Sequence, residues 1–231
     1  HHNRIFKQLN LLAFINMSRT LFLFSLVFFS MNLNSQNIDS LISMLSSEKK
    51  TEKKIEILKD ISKEYLQVRD YDNFKKYAHQ GVQLSVNIKN PIHELEFFTL
   101  LSDYYYYTMN LNKCIETLQM IFVIAEKLGN TFYKGVYFQG MLKVYWRKGI
   151  YEKALKYGIE SVKIYETEGD TANLMISKGF LGTIYIDLGN YDMAEKILYE
   201  IEEYYSEKNN ISGLANIYEK LGIIKFYKGY Y

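Results

Sequence analysis

The sequence predicts an all-α chain of consecutive antiparallel helix pairs, and three observations carry that expectation. The first is a repeat. "DISKEYLQVRDYDNF", "LLSDYYYYTMNLNKC", "GMLKVYWRKGIYEKA" and "FLGTIYIDLGNYDMA" begin at Asp60, Leu100, Gly140 and Phe180, forty residues apart, and a fifth stretch begins at Lys220. Self-similarity at such a period marks an array in which each unit covers its neighbour's apolar face. The second is the spacing of apolar residues at three and four positions, as in Leu181, Ile184, Tyr185 and Leu188, with no strand-like alternation anywhere. The third is punctuation at the same period. Asn90, Asn130, Asp170 and Asn210 stand where a helix should start, and Gly149, Gly189 and Gly229 where one should stop.

The elements follow in order. Residues 1–16 precede Met17 and are read as an upstream extension without native structure. Residues 17–35 open with a basic start, continue with the apolar run Leu21 to Phe29 and end in small and polar residues. That is the layout of a secretory signal peptide, with cleavage expected near Ser35 and Gln36. The run falls short of the ~20 residues that span a bilayer, and an uncleaved N-terminal anchor is the alternative. Residues 36–54 read as an N-terminal cap helix, about Ile38 to Ser46, and a charged linker that includes "EKKTEKK". Residues 55–231 read as about 4.5 helix pairs, the last incomplete. In one unit the helices should cover 131–148 and 151–168, with the other units offset by forty. Asn90-Pro91 supports a start there, because proline suits the first helical position.

Within this frame the columns sort themselves. Ile61, Leu101, Met141, Leu181 and Leu221 form one apolar column. Tyr65, Tyr105, Tyr145 and Tyr185 form an aromatic one, and Phe74, Cys114, Ala154 and Ala194 a third. Composition agrees: 48% of the 231 residues are apolar, 22 are Tyr, and a single proline is present, which excludes a disordered or loop-rich chain. The lone Cys114 excludes an internal disulfide and an all-cysteine metal site. Without residues 1–35 the chain keeps 25 of its 28 Lys and Arg against 26 Asp and Glu, a formal charge of −1. No basic excess is left to neutralise phosphates, so nucleic acid is not an expected partner of this segment.

"LGTIYIDLGNYDMA" from Leu181 closely resembles the tetratricopeptide repeat, with its Leu-Gly, Tyr, Gly, Tyr and Ala at matching offsets, and "YWRKGIYEKA" from Tyr145 resembles it almost as well. The resemblance covers Ile55 to Tyr231 and is most specific in the last three units. It implies a right-handed superhelical solenoid whose first helices line a concave, protein-binding surface. The forty-residue unit exceeds the usual ~34 and implies longer helices. The usual proline late in the second helix is absent. Leu142 and Phe74 are bulky where small residues normally let paired helices cross, so units one and three are expected to differ locally. The stretch "IDSLISMLSSEKKTEKKIEILKDISKEY" also resembles the start of the exported sensor region of certain Gram-negative signalling proteins. There, forty-residue repeats precede a membrane helix and a kinase or DNA-binding output.

The run Tyr104 to Tyr107 then divides. Tyr105 falls in the packing column, and Tyr104 aligns with Val144, Ile184 and Ile224. If the resemblance holds, Tyr106 and Tyr107 face the groove together with Trp146 and Arg147, and Lys143 and Asp103 sit one turn back. Aromatic side chains beside arginine are the types that anchor protein contacts, so these six are the candidate binding patch. The alternative is that Tyr106 and Trp146 complete the packing between repeats.

Catalytic chemistry is not expected. His79 and His93 have no ligand spacing, and His93 beside Glu94 reads as a surface pair. "SSEK" from Ser46 lies in the charged linker, "GVYFQG" from Gly135 lacks the Lys of a phosphate loop, and Cys114 sits in a packing column. "YEIEEYYSE" from Tyr199 reads as an exposed helix face. The expectation is therefore a non-catalytic scaffold with no cofactor or metal, and the resemblances imply that it binds a protein or peptide on the periplasmic side of a Gram-negative envelope. Gly229 stands where a further helix would start, so a longer protein is expected, with any membrane anchor beyond Tyr231. The alternative is the regulatory repeat region of an enzyme, such as a sensor histidine kinase, whose catalytic domain lies further on.

Overall fold

The structure, a computed structural model, describes residues 37–229; the expected extension at 1–16 and signal segment at 17–35 lie outside the described residues. Those residues are helical throughout, with no strand among them. α1 covers residues 37–47. It is followed by α2 (Thr51–Gln67), α3 (Tyr71–Asn87), α4 (Pro91–Tyr107), α5 (Leu111–Leu128) and α6 (Thr131–Arg147). α7 (Tyr151–Glu168), α8 (Thr171–Asp187), α9 (Tyr191–Glu207) and α10 (Ile211–Lys228) complete the order. From α2 onward each helix starts twenty residues after the last, so the forty-residue period is two helices of equal weight. No helix among the described residues is long and apolar enough to cross a membrane.

The turns explain this regularity. Tight links of two or three residues join the helices, and in most of them one residue serves both neighbours, Ile150 before α7 and Lys50 before α2 making no side-chain cap. The backbone N–H of Asn110 donates to the carbonyl of Tyr105 at 2.9 Å and closes α4, while its side chain accepts from the Lys113 N–H and opens α5. Asp70, Asn130, Asp170, Asn190 and Asn210 repeat the arrangement. Such caps satisfy backbone groups that a helix end leaves orphaned. The residue before each cap turns the chain through the left-handed region. Gly149, Gly189 and Gly229 do so as expected, with φ of 70°, 72° and 79°. Arg69, Lys89, Met109 and Asn209 carry the same turn without glycine, at φ between 51° and 63°. The sequence columns missed these because they looked only for glycine.

The chain forms two compact units that divide between Ile88 and Lys89. In the first, α2 packs on α3 and buries Ile55, Leu58 and Ile61 with Phe74 and Ala78. The α1–α2 break is residues 48–50, so the linker expected up to residue 54 is corrected: Thr51 to Lys54 already form the first turn of α2. Glu48 accepts from the N–H groups of Lys49 and Lys50 and shapes that break. In the second unit each helix from α4 to α10 packs on the next, and α6 also lies against α4 and α8. The apolar column Leu101, Met141, Leu181 and Leu221 is buried there, as is Cys114, Ala154 and Ala194.

The bulky residues expected to disturb units one and three are instead fully buried, and for Leu142 the reason is visible. A Cβ on Gly158 would lie 3.2 Å from Leu142 Cδ1, so the missing side chain of α7 makes the room that Leu142 of α6 takes. In the next pair the sizes exchange: Gly182 of α8 faces Leu198 of α9. One large and one absent side chain fill the crossing either way, which keeps packing dense. The aromatic column stacks across pairs, Tyr65 on Tyr77 at 5.6 Å and Tyr145 on Tyr157 at 5.4 Å between ring centroids. The acidic stretch of α9 is only partly a solvent face, because Ile201 is buried and Tyr204 and Tyr205 pack against the core.

Candidate functional site

The first helices of the second unit, α4, α6, α8 and α10, share one side of the array, and a cavity of about 610 Å³ lies along it. Tyr106 of α4, Trp146 and Arg147 of α6, Phe180 of α8 and Lys220 of α10 all line it. The period places them there: Tyr106 and Trp146 occupy one column, and Phe180 and Lys220 another.

The six candidate residues divide into two clusters. Arg147 crosses to the neighbouring repeat, where its guanidinium carbon lies 4.3 Å from the centroid of the Tyr106 ring. Its Nη1 also donates to Met109 Sδ at 2.8 Å. Tyr106 is consequently 7% exposed, the most buried of the four tyrosines. Its expected availability in the groove is therefore corrected: it lines the cavity as a wall beneath Arg147, not as a free aromatic surface. Burial also pushes its phenol above the ordinary range, with Arg147 pulling the other way. Tyr107 is 59% exposed and packs edge-on against Tyr106, but it does not line the cavity.

Trp146 is half-buried and points toward α8. Its indole N–H donates to Asp187 Oδ2 at 2.9 Å, and its ring meets Phe180 edge-on at 5.5 Å. Lys143 reaches 6.0 Å from the centroid of the same Phe180. Asp103 lies deeper in α4, where burial raises its carboxyl above the usual range and the charge of Lys143 partly offsets the rise. So Tyr106 and Trp146 do join repeats, as the packing alternative held, and both also line the groove.

Sequence reasoning missed Phe180, Asp187, Met109 and Lys220. A signal existed for two of them. Asp187 stands in the column of Arg147, and Phe180 is the one aromatic in a column that otherwise holds Asp60, Leu100, Gly140 and Lys220. Met109 gave none, because its role comes from a left-handed turn that aims its sulfur at Arg147.

The residues set aside behave structurally. Cys114 is buried, its Sγ donates to the Ser102 carbonyl at 3.3 Å, and burial with the nearby Asp103 pushes its thiol up to about 12. His93 Nδ1 pairs at 2.8 Å with Glu96, one turn along, and not with the adjacent Glu94. Among the described residues no cluster of His, Cys, Asp or Glu could hold a metal ion.

No protein-family model matches this sequence, and no curated protein matches it. Solved structures do. The chain is similar to a Signal Transduction ATPase with Numerous Domains (STAND) protein with a tetratricopeptide repeat sensor from Pyrococcus horikoshii, with TM-score 0.66 and 18% identity. That match covers 78% of this chain but only 28% of the archaeal one, so this chain spans well under a third of its length. It is also similar to BtubC (BKLC) from P. vanneervenii, with TM-score 0.66 and 13% identity over 86% of this chain and 83% of that one. At these identities the likeness is one of fold: an all-α helical-repeat architecture.

Proposed function

We propose that this chain is a non-catalytic scaffold that binds a protein or peptide along the groove of its first helices. The observation that carries the reading is the cavity of about 610 Å³, walled by Trp146, Phe180 and Tyr106 and edged by Arg147 and Lys220. Aromatic and arginine side chains around a concave surface are the composition of a contact hot spot. Random peptides displayed and panned against the protein provide the test. Enriched sequences should lose at least about tenfold in affinity when Trp146→Ala and Phe180→Ala are combined, with the helical content unchanged. Enrichment of nothing, or binding indifferent to the double variant, would remove the reading.

The role we propose for this scaffold is the exported sensor part of a longer signalling protein on the periplasmic side of a Gram-negative envelope. Its support is the apolar run Leu21 to Phe29 with its basic start, and the resemblance of the residues that follow. The test is the N-terminal sequence and intact mass of the polypeptide made from its own gene in its own cell. A start near Gln36 is the expected result. A second reading, the regulatory repeat region of an enzyme, has one observation in its favour: the archaeal neighbour carries its repeat sensor within a signal transduction ATPase.

A further inference from the structure

The groove is not filled equally along its length. Where α6 meets α8, the buried side chain of Gln139 occupies the junction. Its Nε2 donates to Ser177 Oγ at 3.0 Å and to the Asn173 carbonyl at 3.1 Å, and Ser177 in turn meets Ser161 Oγ at 2.8 Å. Forty residues on, where α8 meets α10, the same positions are Gly179, Ile217, Gly213 and Ile201. The amide and its polar partners have become two glycines and two isoleucines. A Cβ on Gly179 would find only Ile201 Cδ1 within 4 Å, at 3.9 Å. The space that Gln139 fills in one junction is open in the next, and the cavity of about 610 Å³ runs over it.

The walls say what this opening suits. Its floor is apolar, built from Met175, Ile201 and Ile217, and aromatic rings stand around it at Phe180, Tyr205 and Trp146. The formally charged residues that line it are Arg147 and Lys220, with no carboxylate among the described lining residues. Asp187, the nearest acid to Trp146, is held by the indole N–H. Lys220 has no carboxylate partner among the described residues. An apolar floor with two cations at its edge is complementary to an apolar group flanked by negative charge.

We propose that this open junction is a specificity pocket for an extended peptide, taking one aromatic side chain against Phe180 and Ile217 while acidic residues on either side of it meet Lys220 at one edge and Arg147 at the other. It rests on the groove reading above and adds the class of ligand. Aromatic insertion is favoured because rings pack edge-on or offset against the rings already there.

Trp146 is the sole tryptophan and forms a wall of the cavity, so its emission reports occupancy directly. The probe is acetyl-Gly-Glu-Phe-Glu-Gly-amide, compared with the same peptide carrying Ala for Phe and with one carrying Lys for both Glu. The acidic aromatic peptide should give a saturable change, and each control should bind about tenfold more weakly or worse. Gly179→Gln should abolish the change, since it restores the side chain that fills the preceding junction, and glutamine is the better helix former. Lys220→Glu, at a partly exposed position, should remove the preference for the acidic peptide over the Lys-Phe-Lys one, since Arg147 remains as the single cation. Equal binding of all three peptides, no change at millimolar probe, or full binding by Gly179→Gln would overturn the pocket. Panned peptides that bind the groove but are basic or lack an aromatic would overturn the pocket alone and leave the groove reading standing. Failure of every peptide would remove both.

Discussion

The guanidinium carbon of Arg147 sits 4.3 Å from the ring centroid of Tyr106, a residue one repeat earlier in the chain. The contact ties α6 to α4 and closes one end of the groove. It joins a cation to an aromatic face without a carboxylate, and such contacts contribute about 0.5–2 kcal/mol according to how well they are desolvated. Arg147→Ala should therefore lower stability to urea by that order and expose the Tyr106 ring. Arg147→Lys should recover only part, because an ammonium cannot both stack on the ring and donate to Met109 Sδ. A variant as stable as the parent would show that Arg147 merely lies over the ring.

The crossing of α6 and α7 offers a sharper test. Leu142→Ala should cost about 2–5 kcal/mol, since Gly158 opposite has no side chain to relax into the space. Gly158→Leu alone should also destabilise, because a Cβ there would already approach Leu181 Cδ2 at 2.5 Å. Combining Leu142→Gly with Gly158→Leu reproduces the arrangement of Gly182 and Leu198 one repeat on. The double variant should be more stable than the sum of its parts by about 0.5–3 kcal/mol, measured as a double-mutant cycle. Simple additivity would mean that the two positions do not share one space.

This compensation also shows what the sequence could and could not reveal. Helix starts were legible because Asn and Asp caps recur at fixed offsets, and α6 and α7 fall within a residue of their expected limits. Leu142 looked like a defect because only its own column was read; the matching Gly158 lies on the partner helix, sixteen residues away. Tyr106 was misplaced for a similar reason. Its column faces the groove, but its burial depends on where the long side chain of Arg147 comes to rest. A periodic pattern fixes the direction in which a residue leaves its helix, and not which neighbour covers it.

The turns predict opposite effects for one kind of substitution. Arg69 holds φ of 63° where other turns use glycine. A left-handed residue with a Cβ costs about 1–2 kcal/mol, partly returned by its smaller unfolded-state entropy. Arg69→Gly should thus raise the thermal midpoint modestly, by up to about 1 kcal/mol of stability. Gly189→Ala, at φ of 72° with nothing within 4 Å to clash, should lose a similar amount through backbone strain alone. If both variants matched the parent, the left-handed turns would not be strained.

Cys114 makes the pH dependence testable. Burial first, and the neighbouring Asp103 second, push its thiol from 9.0 to about 12 in the folded chain. Between those values the unfolded chain releases a proton that the folded chain keeps, so stability is fully present below about pH 9 and falls as pH rises toward 12. Tyrosines titrate in the same range, and burial holds Tyr133 at about 12, so the parent alone cannot isolate the thiol. Cys114→Ala can, because the equivalent positions Ala154 and Ala194 already pack as alanine in the same fold. The difference in urea midpoint between parent and variant should widen with pH in favour of the variant. In parallel, the parent's thiol should react with an aromatic disulfide reagent at pH 8 only as fast as the chain opens, because a buried thiol offers no thiolate to attack. Rapid reaction of the folded chain, or a pH-independent difference between the two proteins, would mean that Cys114 is not sealed beneath Ser102 and Asp103.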